Sequence, residues 1–298
     1  MKKPEADPIP GAYVHHGRGS IPGLEIVPIR ELRVRQAKTS HRLERPHRLD
    51  FFSALLVTGG EGDHFIDFRP YRYAAGSLLF SARGQVHAFG NLDDMEEFQI
   101  LFTESFALRH GLRPERFSFF CGSELSSPAV SASGADRAFF SGIVRDLSRE
   151  CSRIADSSSD EIAACLVRLL LLRSERIAAV ESPAAVPSGH RDLYARFAKM
   201  LAARYSKTRD ADEYAAALGI SYKHLNEVCK EVVGESAKRR IDRHVVLETK
   251  RLLAATDLSV KEIAGLTGFD EPTNFVKYFR ARAGVTPARF RESLPPVF

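Results

Sequence analysis

Glu213-Tyr214-Ala215-Ala216-Ala217-Leu218-Gly219-Ile220-Ser221 and Glu262-Ile263-Ala264-Gly265-Leu266-Thr267-Gly268-Phe269-Asp270 are one pattern written twice, 49 residues apart. Each copy runs from a glutamate through an alanine to a glycine and then a polar residue able to cap a helix. One residue is added in the second copy, after which Leu225 falls on Phe275, Cys229 on Phe279 and Gly234 on Gly284. The repeat predicts two helix-turn-helix units. Glycine takes the left-handed backbone that a sharp turn needs, and steeply crossed helices approach closely only at a small side chain. Two such units in tandem point to DNA.

Helix signals extend outward from the repeat. Asp192 to Tyr205 reads as a first helix, with Leu193, Phe197, Met200 and Leu201 toward a core. Asp210 caps the helix that ends at Gly219, and Ser221 caps the first reading helix, to about Val233. Ile241, Val245, Glu248 or Thr249, and Leu252 describe a long helix over Ala237–Ala255. Its 19 residues span ~28 Å at ~1.5 Å each, close to the ~34 Å between successive major-groove faces of DNA. Ser259 and Glu262 form a capping box, and Ile263, Ala264 and Leu266 make the inner face of the helix that follows. Asp270 or Glu271 caps the second reading helix, and Pro272 occupies its first turn. Phe275, Tyr278 and Phe279 face inward. Thr273, Asn274, Lys277 and Arg280 are left outward, the short polar ones suited to base edges, Lys277 to guanine or phosphate, Arg280 to phosphate.

Charge agrees with this placement. The formal net charge is +5, yet residues 190–298 hold 20 Lys and Arg against 14 Asp and Glu, a net of +6, leaving 23 against 24 for residues 1–189. The basic excess belongs to the C-terminal third. Cys121, Cys151, Cys165 and Cys229 are widely spaced and form no C-x-x-C pair; buried free thiols in a reducing compartment are expected. No apolar run approaches the ~20 residues of a membrane span. Met1-Lys2-Lys3-Pro4-Glu5 does not open a signal peptide, so a cytoplasmic protein without membrane contact is expected.

Four segments follow. Residues 1–20, rich in Pro and Gly, predict a flexible arm. Residues 21–180 form an N-terminal domain of strands followed by helices. Residues 181–190, centred on Glu181-Ser182-Pro183-Ala184-Ala185-Val186-Pro187, are a linker, and residues 191–298 are the DNA-binding domain. From Leu24 to Phe102, short apolar runs alternate with turns and read as a small barrel or sandwich. Phe51–Val57 is a strand, Gly59-Gly60-Glu61-Gly62 a hairpin turn, and His64–Phe68 the returning strand. After Thr103 strands are expected to stop, giving way to helices over Arg137–Cys151 and Asp160–Val180. The second has Ile162, Leu166, Leu169 and Leu172 at helical spacing, widened by Cys165, Leu170 and Leu171, so it can cover its own barrel and a second subunit.

Two groups of residues resemble the AraC/XylS family. Glu262-Ile263-Ala264, Gly268-Phe269-Asp270, Asn274-Phe275, Phe279-Arg280, Gly284, Thr286-Pro287 and Phe290-Arg291 resemble its C-terminal signature. With the first unit, the likeness covers about residues 190–293. Pro46-His47, Val57-Thr58-Gly59-Gly60, Gly76-Ser77-Leu78-Leu79-Phe80 and Gly84-Gln85-Val86-His87-Ala88-Phe89 are similar to its cupin-like sensor domain. The resemblance implies an α+β, two-domain chain. Its N-terminal part is a cupin-like β-barrel with appended helices, and its C-terminal part is all-α, with two helix-turn-helix units joined by a long helix. By position, the family's base-contacting residues fall on Tyr222, Lys223, Asn226 and Glu227, then on Thr273, Asn274 and Lys277. Val245 stands where the family usually has Arg, Thr249 where it has Ala, Cys229 where a core aromatic is usual, and Ala237 where the second copy has Pro287.

The function implied is a sequence-specific transcription regulator, an activator, whose partners are double-stranded DNA, a small effector, a second copy through the Asp160–Val180 helix, and RNA polymerase. The barrel interior, read as apolar and Phe-rich, is the expected effector pocket, with His47, His87 and Phe89 lining it. The alternative is a metal-dependent cupin enzyme fused to a DNA-binding module. Cupins often bind metal through two His, a Glu and a later His. Only His47 and His87 occupy comparable places, and Leu49 stands where a second His of an H-x-H pair would be, so no metal, cofactor or catalytic residue is expected. A DNA-repair alkyl acceptor would need clustered N-terminal cysteines, and the first is Cys121.

Overall fold

In the computed structural model, the apolar runs of the N-terminal half form two five-stranded sheets. The elements in order are β1 (Gly11–Ala12), β2 (Leu24–Pro28), α1 (Ile29–Ala37), β3 (His47–Leu49), β4 (Phe52–Gly59), β5 (Glu61–Ile66), β6 (Arg69–Ala74), β7 (Ser77–Ser81), β8 (Val86–Phe89), β9 (Glu96–Phe102), α2 (Glu104–Arg109), β10 (Ala129–Ser131), α3 (Gly134–Ser152) and α4 (Ser157–Glu181). The structure describes residues 11–12, 21–37, 43–90, 95–120, 127–153, 156–181 and 188–294. The chain divides into two compact units between residues 181 and 188. Most of the expected arm and linker, and Cys121, lie outside the described residues.

One sheet has the order β1-β3-β8-β5-β6 and the other β10-β7-β4-β9-β2. Neighbours are antiparallel except β1 and β3. The expected barrel is thus a pair of sheets. Because β4 and β5 lie in different sheets, Gly59–Gly62 is no hairpin. Gly60, at φ 81°, turns the corner between them. The hairpin is β5–β6, whose turn residues Asp67 and Phe68 carry φ of 49° and 67°. The returning strand therefore stops at Ile66. Asp tolerates left-handed backbone, and here its carboxylate accepts from the Val86 amide at 3.1 Å and the Gln85 amide at 2.8 Å. Strands also resume after Thr103, since β10 adds to β7.

Strand alternation sends side chains of the β4 sheet two ways. Leu55, Val57 and Leu79 face the other sheet and pack with Tyr73 and Phe89. Ala54, Leu56, Leu78, Phe80, Ile100 and Phe102 face outward beneath α3 and α4, with Phe106, Phe119, Phe120 and Phe140. The phenylalanines thus lie mainly in the sheet–helix layer, not in the expected effector pocket. On α4, Ala163, Ala164, Val167, Leu170 and Leu171 fill that layer, while Ile162, Leu169 and Leu172 are 46%, 45% and 55% exposed. Cys165 lies exposed as well, against the expectation of buried thiols; Cys229 is buried and Cys151 half-buried.

The C-terminal unit is helical: α5 (Ser188–Arg204), α6 (Ala211–Leu218), α7 (Tyr222–Val233), α8 (Ala237–Ala255), α9 (Val260–Leu266), α10 (Pro272–Ala283) and α11 (Pro287–Glu292). Its caps follow the local signals. Asp210, Ser221 and Ser259 each accept a backbone amide, and Ser259 with Glu262 completes the capping box. Gly219, Gly234 and Gly284 end their helices at φ of 73°, 71° and 80°. Leu266, expected inside, is 47% exposed, and Thr267 is fully buried in its stead. The Thr267 hydroxyl is satisfied by donating to the Ile263 carbonyl at 2.8 Å.

Candidate nucleic-acid interface and sensor interior

Phe275 and Phe279 anchor α10, both fully buried. With that face fixed, Thr273, Asn274, Lys277 and Arg280 stand exposed on the opposite side, and helix period 3.6 places them along one strip. Pro272 opens the helix without a missing donor, and Glu271 precedes it without making a side-chain cap. The first turn is left to short polar side chains. Such a strip can approach a groove with base-reading groups ahead and cations behind.

The equivalent helix α7 is built differently. Leu225, Val228 and Cys229 are its buried side, and Tyr222, Lys223 and Glu227 are exposed. Burial pushes the Cys229 thiol up to about 12, so at neutral pH it is a small apolar filler in the place of Phe279. Glu227 lies 3.9 Å from the Lys223 ammonium and 3.8 Å from His224 Nδ1. Its charge offsets that of Lys223 on the face turned outward. Asn226 is half-buried, and its Oδ1 accepts from the Ala237 amide at 3.1 Å, the first amide of α8 after the N-cap Ser236. Of the eight residues expected at DNA, Asn226 is the one whose side chain holds a backbone amide, and its position five residues past the N-cap Ser221 held no sign of that.

The connector helix carries its unusual residues inward. Val245 is fully buried in the second unit's core, and the Thr249 hydroxyl donates to the Val245 carbonyl at 2.8 Å. Arg291, in the matching C-terminal signature, donates to the carbonyls of Leu253, Thr256 and Leu258. It therefore closes the end of α8.

Between the sheets, His47, His87 and Phe89 do come together, and the structure adds His64. The His47 and His87 rings are 4.1 Å apart, His64 and Phe89 4.7 Å. His87 Nδ1 is 3.2 Å from His64 Nε2. The inward set along β5, Gly62-His64-Ile66, was legible from strand alternation, but Phe65 beside it draws the eye as the apolar residue. Among the described residues, no three His, Cys, Asp or Glu side chains are grouped so as to hold a metal ion. Glu97 of β9 is 97% out of solvent, both carboxyl oxygens without a partner. The interior is thus polar.

Burial lowers His64 from 6.5 to about 3, with the field of His47 adding to it. Burial also raises Glu97 well above 4.5, against the pull of Arg33. Folded His64 stays neutral while the unfolded chain gains a proton below 6.5, so it costs stability as pH falls from there toward 3. Folded Glu97 stays protonated while the unfolded chain ionises above 4.5, so it costs stability as pH rises. Relative to the parent, Glu97→Gln should therefore gain stability as pH rises above 4.5, by at most ~1.4 kcal/mol per unit. Urea unfolding of the full chain across that range checks this; a difference that does not change with pH refutes it.

A separate cleft of about 440 Å³ lies outside the β4 sheet, floored by Leu56, Phe98 and Val144 and edged by Arg145 and Arg149 of α3. No helix among the described residues is long and apolar enough to cross a membrane.

Two family models match: an AraC-like ligand binding domain over residues 29–171 and a helix-turn-helix domain over residues 214–293. The chain is 22% identical over 255 residues to the HTH-type transcriptional activator RhaR of Enterobacter sp. (strain 638), covering 82% of this chain and 86% of that one. RhaR of Escherichia coli O139:H28 is likewise 22% identical, over 256 residues. Among solved structures, ToxT of Vibrio cholerae is similar at a TM-score of 0.45 and 11% identity, over 91% of this chain and 99% of that one. The C-terminal domain of the response regulator yesN of Fusobacterium nucleatum is similar at a TM-score of 0.31 and 22% identity, over 34% and 98%. With both domains matched in order and the paired turn glycines, caps and core aromatics in place, the chain belongs to the AraC family of DNA-binding transcription regulators.

Proposed function

We propose that this chain is a homodimeric, effector-responsive activator that reads a two-part DNA site with α7 and α10. The observation that carries the reading is the exposed strip Thr273, Asn274, Lys277 and Arg280 opposite a buried aromatic anchor. Tyr222, Lys223 and Glu227 supply the second reader, with Asn226 behind them. The RhaR relatives are activators by name, which supports activation, RNA polymerase as a partner and a cytoplasmic setting. The inter-sheet interior, with His47, His64, His87, Phe89 and Glu97, is the place for a small effector. It offers the Glu97 carboxyl and His64 Nδ1 as hydrogen-bonding groups not otherwise used. No residue is read as catalytic.

Selection of random duplex DNA with the full chain should enrich one sequence. Its affinity should fall linearly on a log–log plot against salt, with slope about −0.9 per neutralised phosphate. Enrichment of no sequence, or affinity indifferent to salt, overturns the reading. For the dimer, the exposed face of α4 (Ile162, Leu169 and Leu172) is the contact. Joint replacement Leu169→Glu and Leu172→Glu is expected to halve the mass seen by sedimentation while leaving the helix content unchanged, since Leu170 and Leu171 keep the core. An unchanged mass places the contact elsewhere.

A further inference from the structure

The short connection between α5 and α6 belongs by sequence to the first unit but is seated on the second. Arg209 donates to the carbonyls of Thr267 and Gly268 at 3.3 and 3.1 Å, and its guanidinium lies 3.9 Å from the centre of the Phe269 ring. Lys238 of α8 donates to the Arg209 carbonyl at 3.0 Å and pairs with Asp242 at 3.1 Å. Asp242 in turn accepts from the Tyr278 hydroxyl of α10 at 2.7 Å and pairs with Arg282 at 2.9 Å. Arg282 covers the Tyr278 ring at 3.7 Å. The ties run unbroken from the α5–α6 connection through α8 to the second reading helix.

We propose that Arg209 and Asp242 are positioning residues that fix the separation of α7 and α10, so that the domain accepts a single spacing between its two half-sites. The inference rests on α7 and α10 being the two readers. Each unit closes its own core: Phe275, Phe279, Ile263 and Leu253 in the second, and Phe197, Tyr214, Leu225 and Ile241 buried in the first. Those cores hold helices together within a unit. Both cores are built on α8, Ile241 in the first and Val245, Leu252 and Leu253 in the second, so a change of spacing requires one unit to slide or turn along that helix. Following a half-site moved by one base pair requires about 3.4 Å of travel and about 35° of rotation about the DNA axis. Arg209 and Asp242, joined through Lys238 on one face of α8, oppose that rotation together. Planar guanidinium bound to two carbonyls and stacked on a ring is directional in a way a point charge is not. Burial pushes the Asp242 carboxyl up, but hydrogen bonds from Tyr278, Arg282 and Lys238 hold it below its ordinary value. It therefore remains an acceptor for all three throughout the neutral range.

The test is selection from random duplex DNA with the full-length parent and with Arg209→Ala, Asp242→Asn and Tyr278→Phe, followed by binding to sites one base pair shorter and longer. The parent should enrich a two-part site and bind the altered spacings at least about tenfold more weakly, the size of a single mismatch. The variants should enrich the same half-site bases but bind the altered spacings within about threefold of the original. Tyr278→Phe removes one hydroxyl, so it keeps the test open if either charge variant does not fold. A folded variant that binds more weakly or melts lower yet keeps the parent's discrimination between spacings makes these ties merely structural and overturns the proposal. A parent that enriches no two-part site instead removes the paired-reader assignment on which it rests.

Discussion

Gly268→Ala is expected to unfold the second helix-turn-helix unit at a far lower urea concentration than the parent, whereas Gly219→Ala, at the matching place in the first unit, should be mild. Both glycines sit at left-handed φ, 80° and 73°, and an L-residue there costs about 1–2 kcal/mol. They differ in their surroundings. A Cβ on Gly219 meets nothing within 4 Å, while a Cβ on Gly268 comes to 1.9 Å of the Ser206 carbonyl oxygen. That oxygen is backbone, held near Arg209, and cannot rotate away as a side-chain end would. Displacing it also loosens the Arg209 bonds to Thr267 and Gly268. The clash should bring the total to more than ~3 kcal/mol, a large share of the ~5–15 kcal/mol that holds a domain folded. Urea unfolding of the two full-length variants, followed by circular dichroism, measures the difference. Equal costs would mean that the α5–α6 connection yields freely.

The contrast also shows what sequence pattern can and cannot carry. Both glycines, and the boundaries Ala237–Ala255 of α8, were legible because caps, turns and helical period are local: each depends on residues within one or two turns. What surrounds Gly268 is not local, since Ser206 lies 62 positions away in sequence. The same limit explains the N-terminal half. Gly59-Gly60 reads as a turn and is one, but whether a turn returns a strand to its own sheet or passes it to another depends on partners that pair later in the chain, β7 and β9 for β4, β6 and β8 for β5. On α4, two stripes have the apolar spacing of a buried face. The interior took the one with Ala163 and Ala164, which lets the helix approach the sheet closely, and left Leu169 and Leu172 outside. Choosing between them needs the volume of the space to be filled, which a one-dimensional pattern does not contain.

At the reading helices, Asn274→Ala and Lys277→Ala should each weaken specific binding by about 1–3 kcal/mol, roughly 5- to 150-fold, and Asn226→Ala should differ from both in kind. Asn274 and Lys277 are exposed, away from the Phe275 and Phe279 face that holds α10, so their loss leaves the melting curve unchanged. Asn226 Oδ1 holds the Ala237 amide at the start of α8. Leaving that amide without its acceptor costs about 1–3 kcal/mol of stability, and that cost appears without DNA. If Asn226 also reads a base with its amide nitrogen, binding falls too, and by more than the stability change accounts for. Glu227→Gln tests the same face from the opposite direction. The carboxylate repels phosphate and offsets Lys223, 3.9 Å away, so its neutralisation should strengthen binding to any duplex and steepen the salt dependence while lowering preference for the selected site. Titration of the four variants against selected and unrelated duplexes at two salt concentrations distinguishes these effects. A tighter but less selective Glu227→Gln would assign the first unit a discriminating, repulsive part in recognition and the second the attractive one. Unchanged binding in all four would remove both helices from the interface.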